Sequence, residues 1–236
     1  MDRLSKDGAL VLPDFLSHDA VSTIRQEGAA CREMAYFCRQ EHTAYLSPPD
    51  PDLPSDHTRN RLVASSKGCI TDDLIPQNSP LRGLYNDPRF CRFMCSVLGL
   101  KSVHPYADPL SSINLHYAET GQELGWHFDN SSFAITLMVQ PAIAGGHFEY
   151  VENVRNADAG EMNYQSVGKV LDGETPAKRL AMQAGTLVLF RGRNSLHRVT
   201  PVEGETTRML AVLAYNQEPG VCLAEAARMT FYGRVR

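Results

Sequence analysis

The segment Gly125-Trp126-His127-Phe128-Asp129-Asn130 places a histidine and an aspartate two positions apart, in a stretch that predicts a β-strand over residues 124–129. Residues i and i+2 of a strand point to the same face of a sheet, so the imidazole of His127 and the carboxylate of Asp129 can converge on one metal ion. An H-x-D pair is common by chance, and on its own it is more often an ordinary strand segment than a metal site.

A third ligand has to come from elsewhere in the chain, and His197 is the candidate, within Ser195-Leu196-His197-Arg198-Val199-Thr200-Pro201. Two histidines and one carboxylate on one side of an ion form the facial triad of non-haem Fe(II) sites, which leaves the remaining coordination positions open. Open positions suit an iron ion that binds both a cosubstrate and dioxygen.

Arg208 follows His197 by eleven positions and begins an apolar run of strand length. A guanidinium group there can hold a carboxylate through two parallel charge-assisted hydrogen bonds. A buried arginine in a β-core is costly unless an anion pairs with it, so this position indicates an anionic ligand.

The second half of the chain predicts an all-β sandwich or barrel, because short apolar runs alternate with Gly, Pro, Asn and Asp. The predicted strands lie near residues 111–118, 124–129, 133–140, 147–154, 186–191, 195–202 and 208–216. The polar region 155–180 is expected to be an insertion between strands.

The first 105 residues predict helical support for this core. A short strand within residues 8–16 is followed by Ser17, a plausible helix N-cap, and by helical apolar spacing up to about Gln40. Residues 47–60 contain four prolines and predict a loop that can act as a lid. Helical spacing over residues 79–98 is interrupted by Pro88, which predicts two helices.

Composition excludes several classes of protein. The 236 residues carry 23 basic and 27 acidic side chains, a formal net charge of −4 that argues against nucleic-acid binding. No apolar run is long enough for a membrane span, and the polar first seven residues argue against a signal peptide. The six cysteines include no C-x-x-C pair and are expected to be reduced, which predicts a cytoplasmic location.

These motifs together resemble the Fe(II)/2-oxoglutarate-dependent dioxygenases, and in particular the bacterial group that contains halogenases and hydroxylases of free amino acids. The similar segments are YADPL (106–110), LGWHFD (124–129), FAITL (133–137), GGHFEYV (145–151), LFRGRNSLHRVTPV (189–202) and FYGR (231–234). The resemblance implies a mainly β fold with flanking helices, whose core is a double-stranded β-helix, the cupin-like jelly roll. It implies one domain over residues 1–236, with the jelly roll in 106–236 and the helical support and lid in 1–105.

The resemblance also implies the ligands of the cofactors. His127, Asp129 and His197 would hold Fe(II) as the catalytic centre, while Arg208 and Asn114 would bind the cosubstrate 2-oxoglutarate. In the halogenases of this group Gly or Ala replaces the carboxylate ligand and leaves room for chloride. Because Asp129 is present here, the resemblance implies hydroxylation, with O2 and 2-oxoglutarate consumed.

Five residues are candidates for substrate binding. Arg59 and Arg61 follow the proline-rich loop, where related enzymes place an arginine for the substrate carboxylate. Asn130 follows the carboxylate ligand, His116 shares a strand face with Asn114, and Asn216 follows Arg208 by eight positions. Any of the five can equally be a structural or surface residue.

The expected partner is therefore a small molecule, a free amino acid or similar polar metabolite, with no nucleic acid or membrane involved. Two alternatives remain open: the same chemistry, as hydroxylation or desaturation, on a carrier-bound, nucleoside or natural-product substrate, and a jelly-roll protein that binds metal and oxoacid without turnover. The sequence does not distinguish a monomer from a homodimer.

Overall fold

The computed structural model describes residues 2–236, so that only Met1, at the start of the polar N-terminal stretch, lies outside the described residues. The helices are α1 (Asp2–Asp7), α2 (His18–Cys31), α3 (Pro80–Tyr85), α4 (Pro88–Leu98), α5 (Tyr164–Leu171) and α6 (Glu225–Tyr232). The first eight strands are β1 (Ala9–Leu12), β2 (Tyr36–Thr43), β3 (Leu62–Ile70), β4 (His104–Pro105), β5 (Ile113–Ala118), β6 (Leu124–His127), β7 (Ala134–Gln140) and β8 (Ala144–Gly145). The other seven are β9 (Phe148–Val151), β10 (Lys178–Leu180), β11 (Leu187–Phe190), β12 (Leu196–Val199), β13 (Val202–Glu203), β14 (Arg208–Leu213) and β15 (Tyr215–Asn216).

Eleven strands form one antiparallel, nearly closed sheet in the order β1-β11-β7-β14-β5-β3-β6-β12-β9-β10, with β2 paired to β3. Neighbours in this sheet are far apart in the chain, which is typical of a jelly roll. The predicted mainly β, jelly-roll class is confirmed. Each strand predicted after residue 106 is present, within a few residues of its expected bounds.

Strands β5 and β14 lie side by side and present two different faces. Their register pairs Arg208 with Ala118, Leu210 with His116 and Val212 with Asn114, so these six side chains share one face, here called the inner face. The opposite, outer face carries Ile113, Leu115, Tyr117, Met209, Ala211 and Leu213, all members of the main hydrophobic core.

The outer face packs against α2. The hydroxyl of Tyr117 donates to the carbonyl of Gly28 on that helix over 2.8 Å. A Cβ atom added at Gly28 would lie 2.5 Å from a methyl group of Leu115, so the helix reaches the sheet this closely only because residue 28 is glycine.

The predicted helix up to Gln40 is wrong beyond Cys31, although Ser17 does cap its start by accepting a hydrogen bond from the backbone N–H of Ala20. A short 3₁₀ turn follows, and then β2 pairs with β3 along all eight of its residues. Met34 and Phe37, two of the apolar residues whose spacing fits a helix, are 54% and 38% exposed. Pairing with a strand distant in sequence outweighs the local helical pattern here.

The N-terminal region, residues 1–105, therefore supplies strands β1 to β4 as well as helices. The break predicted at Pro88 is confirmed, with Ser79 capping α3 and Asp87 capping α4. The proline-rich region is a loop closed by the side chain of Asn60, whose amide donates to the carbonyls of residues 50, 53 and 54. The polar region 155–180 is more ordered than expected, since it forms α5 and β10.

Helix α5 covers a second hydrophobic cluster on the side of β6 and β12. This cluster includes Trp126 and Phe128, which flank His127 and point away from the inner face. No helix within residues 2–236 combines the length and the apolar character that crossing a bilayer requires.

Candidate metal centre and adjoining cavity

Three side chains converge between β6 and β12. His127 at the end of β6 is paired in register with His197 of β12, and Asp129 follows two residues after His127. The Nε2 atoms of His127 and His197 lie 3.9 and 3.5 Å from Oδ1 of Asp129, and one potential ligand atom from each residue falls within 4.8 Å of the other two. The structure thus brings together the three residues that the sequence predicts as metal ligands.

The backbone orients both imidazoles in the same way. Nδ1 of His127 is 2.8 Å from the carbonyl of Gly125, and Nδ1 of His197 is 3.0 Å from the carbonyl of Ser195. A ring nitrogen facing a carbonyl has to carry the proton, so in both residues the lone pair is at Nε2, which faces Asp129. A carbonyl that accepts from the far ring nitrogen fixes the orientation of the imidazole and so prepares the histidine as a metal ligand.

The charges of the site also suit a cation. Burial, and then the neighbouring His197, lower the pKa of His127 well below its ordinary value, so its imidazole is neutral at pH 7. Burial alone would raise the pKa of Asp129, but the neighbouring His197, which is within hydrogen-bond reach, and the charge of Lys67 outweigh burial and lower this pKa, so the carboxylate is ionised. A neutral imidazole at His127 and a charged carboxylate at Asp129 are the protonation states in which these groups bind a metal.

Gly192 allows Asp129 to take its position. The backbone N–H of Asp129 donates to the carbonyl of Gly192 over 3.0 Å. A Cβ atom at residue 192 would lie 1.9 Å from Oδ2 of Asp129, so any other residue would displace the carboxylate.

The donor set fits iron. Two imidazole nitrogens and one carboxylate oxygen occupy one side of a shared point, which is the ligand set of non-haem Fe(II) centres and leaves the other side open. The side chains of His127 and Asp129 are 16% and 21% exposed, so the centre faces an accessible space rather than a closed core.

Arg208 lies at the end of a narrow cavity inside the barrel. It is only 4% exposed, and its Nε and Nη2 atoms are buried without any hydrogen-bond partner within residues 2–236. Burial lowers its pKa to about 10, so the group is still charged at pH 7. A buried cation without a partner is expensive, and it indicates an anionic ligand in this cavity.

Lys67 of β3 and His116 of β5 line the same cavity as Arg208. Nζ of Lys67 is 3.2 Å from Nε2 of His116. Burial, and then the charges of Lys67 and Arg208, lower the pKa of His116 well below its ordinary value, so the imidazole is neutral at pH 7. The cavity is thus lined by two cations, and although Glu123 also lines it, no acidic side chain of the described residues forms an ion pair with Lys67 or Arg208.

Asn114, predicted to bind the cosubstrate, does not line this cavity. Its amide donates to the carbonyls of Leu110 and Ile113 over 2.7 and 2.9 Å, and its oxygen accepts from the hydroxyl of Tyr232 over 2.8 Å. Both the nitrogen and the oxygen of the Asn114 side chain are therefore bonded to other residues of the protein. Its role toward 2-oxoglutarate remains a prediction.

The five predicted substrate residues lie in different places. His116 is in the cavity, as described. Arg59 lies beside Tyr45, with its guanidinium carbon 5.8 Å from the ring centroid, and the exposed Asn130 accepts a hydrogen bond at its carbonyl from Arg193. Arg61 instead pairs with Asp172 at the surface over 2.7 Å, and Asn216 pairs with His104 in a small two-stranded sheet.

Sequence reasoning missed Lys67, Arg155 and Tyr45, which all lie close to the candidate centre. Lys67 was missed because the Ser-Ser-Lys-Gly run of β3 lacks the apolar alternation that signals a strand. If β3 had been predicted as a strand of the barrel, the single lysine within it would have indicated a residue that binds an anion. Arg155 and Tyr45 lie in connecting segments, and no local pattern marks them.

A family model described as Halogenase D matches residues 54–228, more than half of the chain. No curated protein matches. Among solved structures, a 2OG-Fe(II) oxygenase family oxidoreductase from Burkholderia pseudomallei is similar, with 15% identity, a TM-score of 0.58 and 93% of this chain and 90% of that chain covered.

Two further structures have the same fold. The non-heme alpha ketoglutarate dependent carbocyclase SnoK from nogalamycin biosynthesis has 12% identity and a TM-score of 0.61, over 99% of this chain and 90% of that one. A Pseudomonas putida prolyl-4-hydroxylase has 13% identity and a TM-score of 0.54, over 89% and 93%. The chain belongs to the Halogenase D family and has the double-stranded β-helix fold of the 2OG-Fe(II) oxygenases.

Proposed function

We propose that this chain is an Fe(II)- and 2-oxoglutarate-dependent hydroxylase of a free amino acid or a similar small polar metabolite. The observation that carries the proposal is the pairing of a His-Asp-His site with an unpartnered, buried arginine in the interior of one barrel. A protein that only needed a stable core would have no reason to bury an uncompensated guanidinium group beside an open metal site.

His127, Asp129 and His197 would hold the metal, which when bound supplies the oxidative chemistry that amino-acid side chains lack. The protein's own contribution is orientation. The carbonyls of residues 125 and 195 fix the two imidazoles, and Gly192 leaves the space that Asp129 occupies.

Arg208 would bind the distal carboxylate of 2-oxoglutarate through two parallel hydrogen bonds from its free Nε and Nη2 atoms. Leu124, Val199 and Leu210 line the same cavity and would exclude water from the carbon chain of the cosubstrate. Lys67 adds a second positive charge in this cavity, which suits a ligand with two negative charges.

Asp129 supports hydroxylation over halogenation. Its carboxylate fills the position at which a halide would need room, and its backbone N–H is bonded to Gly192. Chloride in that position would have to displace a charged side chain that two histidines stabilise.

We further propose that residues 1–236 act as one catalytic unit, and that the protein is cytoplasmic. The second suggestion is supported by the free thiols of all six cysteines. A carrier-bound, nucleoside or natural-product substrate is the main alternative, since the same centre would serve it.

Anaerobic titration with Fe(II), with and without 2-oxoglutarate, tests the centre. We expect a visible charge-transfer band that requires both components, and its absence would overturn the dioxygenase proposal. Aerobic assays with each of the free amino acids then test the substrate class by succinate formation and by a product heavier by one oxygen atom. Succinate release without any such product would support the dioxygenase proposal but contradict the proposal that the substrate is a free amino acid.

A further inference from the structure

Strand β2 is the longest edge strand of the main sheet. The sheet has three edge strands, because β1 and β10 lie at the two ends of its path and β2 pairs with β3 alone within residues 2–236. β1 and β10 have four and three residues, whereas β2 has eight. A long exposed edge is a template for pairing with another chain, and β2 contains no proline or lysine that would oppose such pairing.

The free edge of β2 presents the backbone groups of Phe37, Arg39 and Glu41. Arg39 is opposed by Ser66 of β3, whose N–H points away from β2, because it donates to the carbonyl of Glu123 over 2.7 Å. Opposed residues of an antiparallel pair either bond to each other or both point away. The N–H and C=O of Arg39, and those of its alternate neighbours, therefore face the free edge, where no strand or loop backbone of the described residues bonds to them.

The side chains along this edge carry charges of both signs. Arg39 and Glu41 are exposed and, being two residues apart on a strand, lie on the same face. Neither of them forms an ion pair within residues 2–236. A strand with a cation and an anion at alternate positions is complementary to an antiparallel copy of itself.

Only one full-length register of two such copies satisfies both the backbone and the charges. The outward backbone groups belong to alternate residues, so these residues have to oppose one another across the new junction. Centring the pair on residue 39 or on residue 41 would place like charges opposite each other, which is destabilising. Centring it on Gln40 places Arg39 of each copy opposite Glu41 of the other, and forms two cross-strand ion pairs.

The exposed apolar side chains of the protein are concentrated around the same edge. In the register centred on Gln40, Phe37 of one copy opposes Thr43 of the other, whose neighbour on β3 is the exposed Leu62. Met229 lies on α6, which packs against β2. Of the seven large apolar side chains that are exposed within residues 2–236, five lie on or beside the hairpin of β2 and β3: Met34, Tyr36, Phe37, Leu46 and Leu62.

We propose that this edge is the interface of a homodimer, in which β2 of one copy pairs antiparallel with β2 of a second copy about a two-fold axis at Gln40. Such an axis gives an isologous, closed contact, so that the assembly stops at two copies. The proposal concerns the assembly of the chain and does not depend on the proposed hydroxylase activity.

Charge reversal tests the dimer by sedimentation velocity of the full chain over a range of concentrations at low ionic strength, where exposed charges are least screened. The variants are Arg39→Glu, Glu41→Arg and the double exchange of both residues. Arg92→Glu is the matched control, because Arg92 is exposed and α4 ends beside Arg191, which follows β11 on the side of the sheet remote from β2.

Wild type and the control should be dimers. Each single variant should raise the dissociation constant of the dimer by at least about tenfold, because two attractive pairs become repulsive. The double exchange should restore the dimer, and an equimolar mixture of the two single variants should form a heterodimer, since both arrangements place opposite charges across the junction again. A monomeric wild type, or single variants that dimerise as tightly as wild type, would overturn the proposal. Single variants that stay monomeric when mixed would overturn the register.

A second measurement reports the register directly. Residue 40 would oppose its own copy in a non-hydrogen-bonded pair, with Cα atoms about 4.5 Å apart, which is within the range of a disulfide. Gln40→Cys should therefore form a cross-linked dimer under mild oxidation, with the bond between the two introduced thiols identified by peptide mapping. Gln26→Cys, at an exposed position of α2, is the matched control for random collision. Cross-linking of Gln40→Cys no faster than that of Gln26→Cys would contradict the pairing of β2 with its copy.

Discussion

The outer and inner faces of β5 and β14 differ in almost every physical property, although alternate residues of the same two strands form them. The outer face carries Ile113, Leu115 and Tyr117, which are at most 1% exposed and pack against α2. The inner face carries His116 and Arg208, lies opposite the metal-ligand strands, and has buried donors without partners.

The energetic roles of the two faces are opposite. Burying a large apolar side chain contributes about 1.5–3 kcal/mol to stability, so the outer face holds the barrel together. The inner face costs stability, as the lowered pKa of the buried Arg208 indicates. Because side chains alternate between the two faces of a β-strand, this strand pair separates folding from ligand binding, and substitutions on the two faces should have separable effects.

The largest effect on activity is expected when Asp129 is replaced, because it is a predicted metal ligand. Asp129→Gly should abolish hydroxylation and lower the iron content per chain, because the site loses its only carboxylate ligand. Thermal unfolding of the metal-free variant should be close to wild type, since a buried charge has been removed. Product analysis and iron quantification measure the outcome, with the surface change Asp172→Asn as the control. Hydroxylation at the wild-type rate would show that Asp129 is not a ligand.

Arg208→Met should weaken 2-oxoglutarate binding by about 2–5 kcal/mol, because a desolvated charge pair is lost. Without 2-oxoglutarate the variant should be as stable as wild type or more stable, since its guanidinium has no partner in the protein. Anaerobic titration of the visible band and urea unfolding measure the two quantities. An unchanged affinity for 2-oxoglutarate would refute the assigned role of Arg208.

Leu115→Ala is the matching change on the outer face. It should lower the free energy of unfolding by about 2–5 kcal/mol, because it leaves a cavity in the main core beside Gly28. The affinity of the folded fraction for 2-oxoglutarate should stay at the wild-type value. If this affinity fell as far as in Arg208→Met, the two faces would not be independent.

Lys67→Met, also on the inside of the barrel, should weaken 2-oxoglutarate binding less than Arg208→Met does. Lys67 is half-buried, burial lowers the pKa of its ammonium group, and this group already contacts His116, so we expect a loss of only about 1 kcal/mol in 2-oxoglutarate affinity. Lys67→Arg should restore most of it. A loss in kcat with no change in cosubstrate affinity would assign Lys67 to the substrate instead.

The same alternation explains which parts of the structure the sequence predicts. His127 and Asp129 are two apart on a strand, so their convergence follows from local geometry. The strands after residue 106 are punctuated by turn residues, and their positions are predicted within a few residues.

The features that the sequence did not predict depend on contacts between distant segments. Tyr36–Thr43 has apolar spacing compatible with a helix, and only its pairing with β3 makes it a strand. Arg155 and Arg59 are almost 100 positions apart in the chain, and their meeting at Tyr45 depends on how the proline-rich loop packs beside α5. Arg61 is close to Arg59 in sequence, yet Asp172 engages it at the surface.

The smallest expected effect concerns how the stability of the protein depends on pH through His116 of the inner face. Burial, Lys67 and Arg208 hold the pKa of His116 well below 6.5, while in the unfolded chain the residue titrates near 6.5. Below about pH 6.5 the unfolded state therefore binds one more proton, and this residue makes stability fall as the pH falls, by up to about 1.4 kcal/mol per pH unit. Above pH 6.5 it contributes no slope.

His116→Gln should remove that contribution and leave the slopes of the other histidines in place. Urea unfolding of the metal-free wild type and variant, compared at neutral and mildly acidic pH, measures the difference. The two proteins should have parallel stability above about pH 7, and the wild type should lose stability more steeply below about pH 6. Equal slopes would mean that His116 is protonated in the folded protein, which the proximity of two cations on the inner face argues against. A matched Leu115→Ala protein should keep the full wild-type slope at lower stability, because the outer face carries no group that titrates in this range.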